Sequence, residues 1–199
     1  MKSISYLPGL SFTHNFYINE IKDLYRYNIY SSSPKSKFTI NKNGNYYFTP
    51  MPLKILSRLT NNYYPNFFKS IDMSIYNNLI SMILKKTDIL HCNSCFAHAA
   101  FFSKISDKVF KIVEEQNSHI KYCNDILNRE FSKFNIKLQF DKKAIQKRID
   151  EYDKADIILV PSDYSLKSFE MMGIERKKLF KNMLINSKYL KNQKKTNKI

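Results

Sequence analysis

The stretch from Ile157 to Gly173 constrains the fold of this 199-residue chain more than any other. Residues 157–160 form a continuous apolar run, which is typical of a parallel strand covered on both faces. Pro161 ends the strand, Ser162 is a natural N-cap for the helix that follows, and Gly173 stands where a helix C-cap favours a positive φ. The unit places a helix N-terminus at the carboxyl end of a parallel strand, where open α/β sheets bind their ligands.

Further strands and helices alternate along the chain. The apolar periodicity predicts strands over residues 3–7, 27–31, 88–92 and 109–113, and helices over residues 14–24, 68–83, 96–105, from 118 onward and over 141–155. Residues 35–52 are polar and rich in turn formers, which predicts a mobile loop with a hairpin tip around Gly44. The alternation favours an α/β fold, a Rossmann-like parallel sheet with helices on both faces.

The chain is strongly basic, with 33 Lys and Arg against 17 Asp and Glu and a formal net charge of +16. One interpretation is attraction to a polyanion, such as nucleic acid, anionic lipid head groups or the pyrophosphate of a sugar nucleotide. The other is compositional drift, in which the high lysine content reflects the general composition of the chain and not a binding function. We favour this interpretation because the lysines are scattered and form a dense block only near the C-terminus. Residues 188–199 are predicted to be a disordered basic tail.

Composition also narrows the compartment and the class of protein. No apolar run approaches the roughly 18 residues that a membrane span needs, and the N-terminus lacks the pattern of a secretory signal. Three cysteines indicate a reducing compartment rather than a disulfide framework. We therefore expect a cytoplasmic protein, with peripheral membrane contact left open by the charge. Three glycines argue against a glycine-rich phosphate loop.

A C-x-x-C motif, Cys92 and Cys95, is flanked by His91 and His98. Between a strand and a helix this spacing is typical of thiol-redox proteins, and the same four side chains are zinc ligands in other proteins. Two observations weigh against both interpretations. The motif occurs once, and neighbouring residues of a strand point to opposite faces. Buried cysteine is also common as a small apolar residue.

A second polar cluster, residues 114–119, directly follows a predicted strand. Glu114, Ser118 and His119 offer carboxylate, hydroxyl and imidazole groups, which can form hydrogen bonds with sugar hydroxyls. The imidazole is also suited to general acid–base catalysis near neutral pH. The alternative is a capped helix start, with Asn117 or Ser118 as N-cap. The two interpretations are compatible, and both stay open for His119.

The helix predicted over 141–155 carries both apolar and charged residues. Tyr152 is predicted to lie in the core. Arg148, Glu151 and Asp153 are predicted to form a solvated face, because a run of charges on a helix usually faces water.

Three segments resemble the N-terminal half of the family 4 glycosyltransferases, which are retaining enzymes of the GT-B architecture. Residues 88–94 are similar to the family's strand D-[VI]-[VIL]-H-x-[HN]-S. Residues 114–119 resemble the E-R-G-S-S-H found after the next strand in one branch, with Glu115 and Gln116 replacing Arg and Gly. Residues 151–179 resemble E-Y-x-x-A-D-x-I-x-V-P-S and the S-F-x-x-x-G-[VI] that follows, and this is the most specific match.

In that family two Rossmann-like domains face each other across a cleft. The N-terminal domain holds the acceptor, and the C-terminal domain holds most of the sugar nucleotide. The resemblance implies that His119 is catalytic and that the substrate-binding residues line the same cleft. Those residues are Glu114, Ser118, Ser162, Ser94 and His91. The motifs imply no metal and no cofactor.

The resemblance covers one of the two domains. The family's E-x-x-x-x-x-x-x-E motif and its diphosphate-binding glycine loop have no counterpart in this sequence, so we assign residues 1–187 to an acceptor-side domain and expect the donor-binding domain to be absent. The expected function is that of the N-terminal domain of a glycosyltransferase, truncated or completed by a partner chain and weakly active or inactive alone. Its substrates would be a nucleotide-sugar donor and a glycan or lipid-linked acceptor. The alternatives are a basic nucleic-acid-binding protein and a thiol-redox protein using Cys92 and Cys95.

Overall fold

The fold is built on one sheet of seven parallel strands. The computed structural model describes residues 2–9, 18–19, 22–33, 35–38, 40–59, 66–136, 138 and 141–182. The strands are β1 (Ser3–Gly9), β2 (Arg26–Ser31), β3 (Gly44–Phe48), β4 (Ile89–Asn93), β5 (Phe110–Glu114), β6 (Ile157–Val160) and β7 (Leu179–Lys181). Their order is β3-β2-β1-β4-β5-β6-β7, which confirms the Rossmann-like α/β prediction.

Helices connect the strands. They are α1 (Pro52–Leu59), α2 (Asn66–Ile83), α3 (His98–Phe101), α4 (Ile120–Ser132), α5 (Lys142–Lys154) and α6 (Asp163–Met171), with short 3₁₀ turns at Lys35–Lys37 and Arg176–Lys178. None of the helices in the described part of the chain is both long and apolar enough to cross a bilayer. The helix predicted over 14–24 falls mostly outside the described residues, as does the tail predicted over 188–199.

The strand register defines the two faces of the sheet. Cys92, Val113, Ile158 and Leu179 are paired in register across β4 to β7, and all four are buried in the larger core. Tyr76 of α2, Tyr152 of α5 and Phe169 of α6 belong to the same core, so these helices cover that face. A smaller core lies on the opposite face of β1 and β2 and includes Ile4, Tyr6, Tyr27, Ile29 and Phe38.

The predicted loop over residues 35–52 is wrong in its central part. Gly44 begins β3, which pairs in parallel with β2 and places Gly44 beside Tyr27. Gly44 is therefore the start of a strand and not the tip of a hairpin. A glycine is needed there because the ring of Tyr27 lies against the backbone and leaves no room for a Cβ. Helix α1, which begins at Pro52, was not predicted.

Two other local predictions need correction. The helix predicted over 96–105 is a single turn, α3, after which Ser103 and Ser106 bond to nearby carbonyls. The N-cap of α4 is His119 rather than Asn117 or Ser118. In both places a polar side chain forms a hydrogen bond with the local backbone at the helix boundary.

The strand–stop–helix unit is confirmed. Ser162 caps α6 by accepting the backbone N–H of Ser165 at 3.1 Å. Gly173 has a φ of 86°, and its N–H donates to the carbonyl of Glu170 at 3.0 Å. This is the left-handed helix ending that favours glycine.

Candidate functional site

The order of the sheet reverses between β1 and β4, and a buried polar cluster lies at the carboxyl ends of β4 and β5. Asn93 pairs in register with Glu114, and His91 lies two residues before Asn93 on the same face of β4. His91 and Asn93 are each 6% exposed, and Glu114 is 2% exposed. Open α/β sheets bind ligands where the strand order reverses, so the fold brings this cluster to the expected place.

Contacts within the cluster are close. The Nε2 atom of His91 lies 3.4 Å from Oε2 of Glu114, and the His91 ring stands 5.4 Å from the ring of Tyr6 on β1. Asn93 donates from Nδ2 to the carbonyl of Pro8 at 2.8 Å, while its buried Oδ1 accepts no hydrogen bond from the described residues. The cluster therefore offers a buried carboxylate, an imidazole and an amide acceptor beside β1.

The loop after β4 is held by α5. The N–H groups of Cys95 and His98 donate to the two carboxylate oxygens of Glu151, at 2.9 and 2.8 Å. Ser94 donates its N–H to the carbonyl of Glu114 at 2.9 Å, and its hydroxyl accepts from Arg148 at 3.3 Å. Ser94 is thus fixed between β5 and α5.

The loop after β5 is held by the same helix. Glu115 is buried, and its Oε2 accepts the phenol of Tyr152 at 2.6 Å and the guanidinium of Arg148. Its Oε1 accepts the N–H groups of Gln116 at 2.9 Å and Asn117 at 3.2 Å. The side chain of Glu115 therefore ties the loop to α5.

Arg148 and Glu151 therefore do not form the solvated face predicted for them. Glu151 is fully buried, and burial raises its pKa to about 7, against the lowering effect of the N–H groups of Cys95 and His98. The signal was present in the sequence, because positions 148, 151 and 152 share one face of a helix and Tyr152 was already assigned to the core. Asp153 is exposed, as predicted.

His119, the predicted catalytic residue, is a buried helix cap. Its Nδ1 accepts the N–H of Lys121 at 3.2 Å, and its ring packs on Tyr152 and Phe169 at centroid distances of 5.0 Å. The backbone N–H of His119 donates to the hydroxyl of Ser168 at 2.9 Å. Burial lowers the pKa of His119 to about 4, so the imidazole is neutral at pH 7. The catalytic role stays a prediction.

The two remaining serines lie at the same edge of the sheet and are partly exposed. Ser118 precedes the cap of α4. Ser162 follows β6, whose Leu159 pairs in register with Glu114, and its hydroxyl donates to that of Ser165 at 3.1 Å. The fold therefore brings His91, Asn93 and Glu114 together directly and places Ser94, Ser118 and Ser162 in the loops around them.

The cysteine geometry does not favour the thiol-redox alternative. Cys92 is fully buried in the larger core, and burial raises its pKa well above the ordinary value. Cys95 is exposed, with a φ of 72°, and the two cysteines are not joined by a disulfide. A nucleophilic thiol requires a lowered pKa instead. Across the part of the chain that the structure describes, no cluster of three or more His, Cys, Asp or Glu is arranged to hold a metal ion.

Solved structures share this fold. Os79 from O. sativa, solved in complex with UDP, superposes with a TM-score of 0.60 at 10% identity, over 94% of this chain and 53% of that one. The UDP-N-acetylglucosamine 2-epimerase from Rickettsia bellii gives 0.51 at 10% identity, over 91% and 44%. TcCGT1, also solved with UDP, gives 0.52 at 10% identity, over 98% and 55%. No family model and no curated protein matches the sequence.

The fold is that of one GT-B domain. The chain spans about half the length of the solved proteins that it resembles. At this level of identity the likeness establishes the fold, and the narrower resemblance to family 4 remains a hypothesis from the motifs. The alternative of a nucleic-acid-binding protein also stays a prediction, because it rests on the net charge of the sequence.

Proposed function

We propose that this chain is the acceptor-side domain of a glycosyltransferase that moves a sugar from a nucleotide-sugar donor to a glycan or lipid-linked acceptor. The observation that carries the proposal is the buried cluster of His91, Asn93 and Glu114 where the strand order reverses. A carboxylate, an imidazole and an amide that lie together at the carboxyl edge of the sheet are groups that hydrogen-bond sugar hydroxyls.

The solved relatives support the class of ligand. Two of the three structures named above contain UDP, and the third is named for a UDP-sugar substrate. Since this chain spans about half of each, we propose that a second domain, in the same or a partner chain, supplies most of the donor contacts. The domain alone is then expected to bind sugars weakly and to transfer them slowly or not at all.

Ligand-detected NMR tests the proposal. Saturation-transfer difference spectra would be recorded with UDP-glucose, UDP-N-acetylglucosamine and a short glucan, each at millimolar concentration. We expect signals on the sugar protons that fall at least threefold in Asn93→Ala and in Glu114→Gln. Asn78→Ala is the matched control, because Asn78 lies exposed on α2.

Circular dichroism would first establish that each variant is folded. Equal signals in all variants would place the binding elsewhere. The absence of a signal from every sugar, in a folded wild-type chain, would contradict an acceptor-side sugar site.

A further inference from the structure

Two tyrosines on neighbouring helices meet at the carboxyl edge of the sheet. Tyr122 lies in the first turn of α4, which follows β5, and Tyr164 lies in the first turn of α6, which follows β6. Their ring centroids are 6.0 Å apart and their planes are inclined at 67°, so the edge of one ring meets the face of the other. We refer to these two residues as the tyrosine pair.

The ring of Tyr164 is both exposed and held in place. Tyr164 is 58% exposed, whereas Tyr122 is partly buried. A hydrogen bond with the hydroxyl of Tyr122 raises the pKa of the Tyr164 phenol, so the two hydroxyls are joined and the phenol is neutral at pH 7. A tyrosine has few torsions, and one that is already fixed loses little conformational entropy when a ligand covers it. Tyr164 therefore presents a preorganised aromatic surface to solvent.

The surroundings of the tyrosine pair are charged rather than apolar. Its exposed neighbours on the two helices are Lys121, Asp163 and Lys167. The remaining exposed large apolar side chains of α4 and α6 are Phe131 and Met171, which lie in the last turns of those helices. A stable protein interface covers about 800 Å² on each partner, which is far more than one ring among charges supplies. The size of the surface instead fits a ligand of about one ring.

The tyrosine pair lies along the same edge of the sheet as the buried cluster of the candidate site. β6 is the second strand from β4, so the carboxyl ends of these two strands are roughly 10 Å apart. The partly exposed Ser118 and Ser162 lie in the loops that lead into α4 and α6. A ligand that contacts both the buried cluster and the tyrosine pair must therefore be longer than a single sugar.

We propose that the tyrosine pair is a second sugar subsite and that the acceptor is an oligosaccharide of at least two units. The C–H groups on one face of a pyranose ring are apolar and slightly positive, and they stack on the negative face of an aromatic ring. One unit would lie at the buried cluster, and a later unit would stack on Tyr164. This inference rests on the proposed function and narrows its acceptor to an extended glycan.

The charges beside the tyrosine pair favour a sugar over the base of a nucleotide, which also stacks on tyrosine. Asp163 offers acceptors, and Lys121 and Lys167 offer donors, which together match hydroxyls that both donate and accept. A nucleoside diphosphate would bring its phosphates close to the carboxylate of Asp163, and like charges repel. A neutral polyhydroxyl ligand carries no such cost.

Ligand-detected NMR on the full chain tests the inference. Dissociation constants would be measured for UDP, for glucose, mannose and N-acetylglucosamine, and for a trisaccharide of each sugar. We expect at least one trisaccharide to bind about fivefold more tightly than its single sugar, which is the size of one aromatic stacking contact. Tyr164→Ala should remove this advantage and leave the single sugar within about twofold of the wild type. Tyr164→Phe keeps the ring and should bind the trisaccharide as the wild type does.

Phe134→Ala is the matched control, because Phe134 is 75% exposed just beyond the far end of α4. It should leave every dissociation constant unchanged. The inference is overturned if no trisaccharide binds more tightly than its single sugar, or if Tyr164→Ala binds the trisaccharide as the wild type does. It is also overturned if Tyr164→Ala weakens UDP as much as the trisaccharide, because the ring would then hold the base.

Two outcomes separate this inference from the proposed function. Binding of single sugars that requires Asn93 and does not improve with further units would keep the proposed function and remove the subsite. Trisaccharide binding that requires Tyr164 and not Asn93 would keep a sugar site at the tyrosine pair and remove the one proposed at the buried cluster.

Discussion

Asn93 donates its side-chain amide to the backbone carbonyl of Pro8 at 2.8 Å and so joins β4 to β1 where the order of the sheet reverses. Replacing it by alanine leaves a buried carbonyl without this donor, so we expect Asn93→Ala to lower the free energy of unfolding by about 2 kcal/mol. Asn93→Asp should cost more, because a second carboxylate then stands in register with the buried Glu114.

Urea unfolding measures both variants, with the exposed Asn78→Ala as control, which should change the free energy by less than about 0.5 kcal/mol. An Asn93→Ala variant as stable as this control would show that the bond to Pro8 contributes nothing.

The pH dependence of stability should contain a contribution from Glu151. Burial raises its folded pKa from the ordinary 4.5 to about 7, so the folded chain holds a proton that the unfolded chain has already released between these values. Stability from this group is therefore present below pH 4.5 and lost as the pH rises through 7. Glu151→Gln removes this pH dependence. The free energy of unfolding of the variant, relative to that of the wild type, should therefore rise by about 3 kcal/mol between pH 4 and 8.

Urea midpoints across that pH range give the measurement. The opposite trend, in which the variant becomes less stable relative to the wild type as the pH rises, would contradict a raised pKa. It would mean that the N–H groups of Cys95 and His98 lower the pKa of Glu151 more than burial raises it.

His119 should contribute with the opposite sign. Burial lowers its folded pKa from 6.5 to about 4, so between these values the imidazole is protonated in the unfolded chain and neutral in the folded chain. Stability is present above pH 6.5 and is lost as the pH falls toward 4. Asn is also a strong N-cap, so His119→Asn keeps the cap of α4 and removes the titration. As the pH falls from 7 to 4, the free energy of unfolding of His119→Asn should rise by about 3 kcal/mol relative to that of the wild type.

At pH 8 the same variant should be about 2 kcal/mol less stable, because the ring no longer packs on Tyr152 and Phe169. Parallel pH profiles for His119→Asn and wild type would contradict a buried neutral imidazole.

The two glycines with special roles should respond differently to alanine. A Cβ at Gly44 would overlap the ring of Tyr27, which is fully buried and fixed by two hydrogen bonds between its hydroxyl and Asn41. We expect Gly44→Ala to cost about 3 kcal/mol. Gly173 has open space around it and a positive φ, so Gly173→Ala should cost only about 1 kcal/mol of backbone strain.

Thermal melts of the two variants give the comparison. Equal losses would indicate that the Tyr27 ring moves aside at little cost and that β3 tolerates a side chain at its first residue.

Local patterns predicted the parts of the fold that depend on neighbours in the chain. The cap at Ser162, the helix ending at Gly173 and the central strands were predicted because each depends on residues within one or two turns. β3 was missed because its strand identity depends on the distant Tyr27. Of the candidate site, His91, Ser94 and Glu114 were predicted, whereas Asn93 and its pairing with Glu114 across the two strands were not.

The sequence alone determined the alternation of strands and helices, the ends of the most regular elements and the types of side chain at the carboxyl edge of the sheet, because these follow from periodicity and local capping. Only the tertiary structure decided which two loops Arg148 and Glu151 hold, that His119 is a buried cap, and that Ile55 and Leu56 of α1 are exposed. The physical reason is that burial is a property of packed surfaces, and residues far apart in the chain set the environment of each charged group.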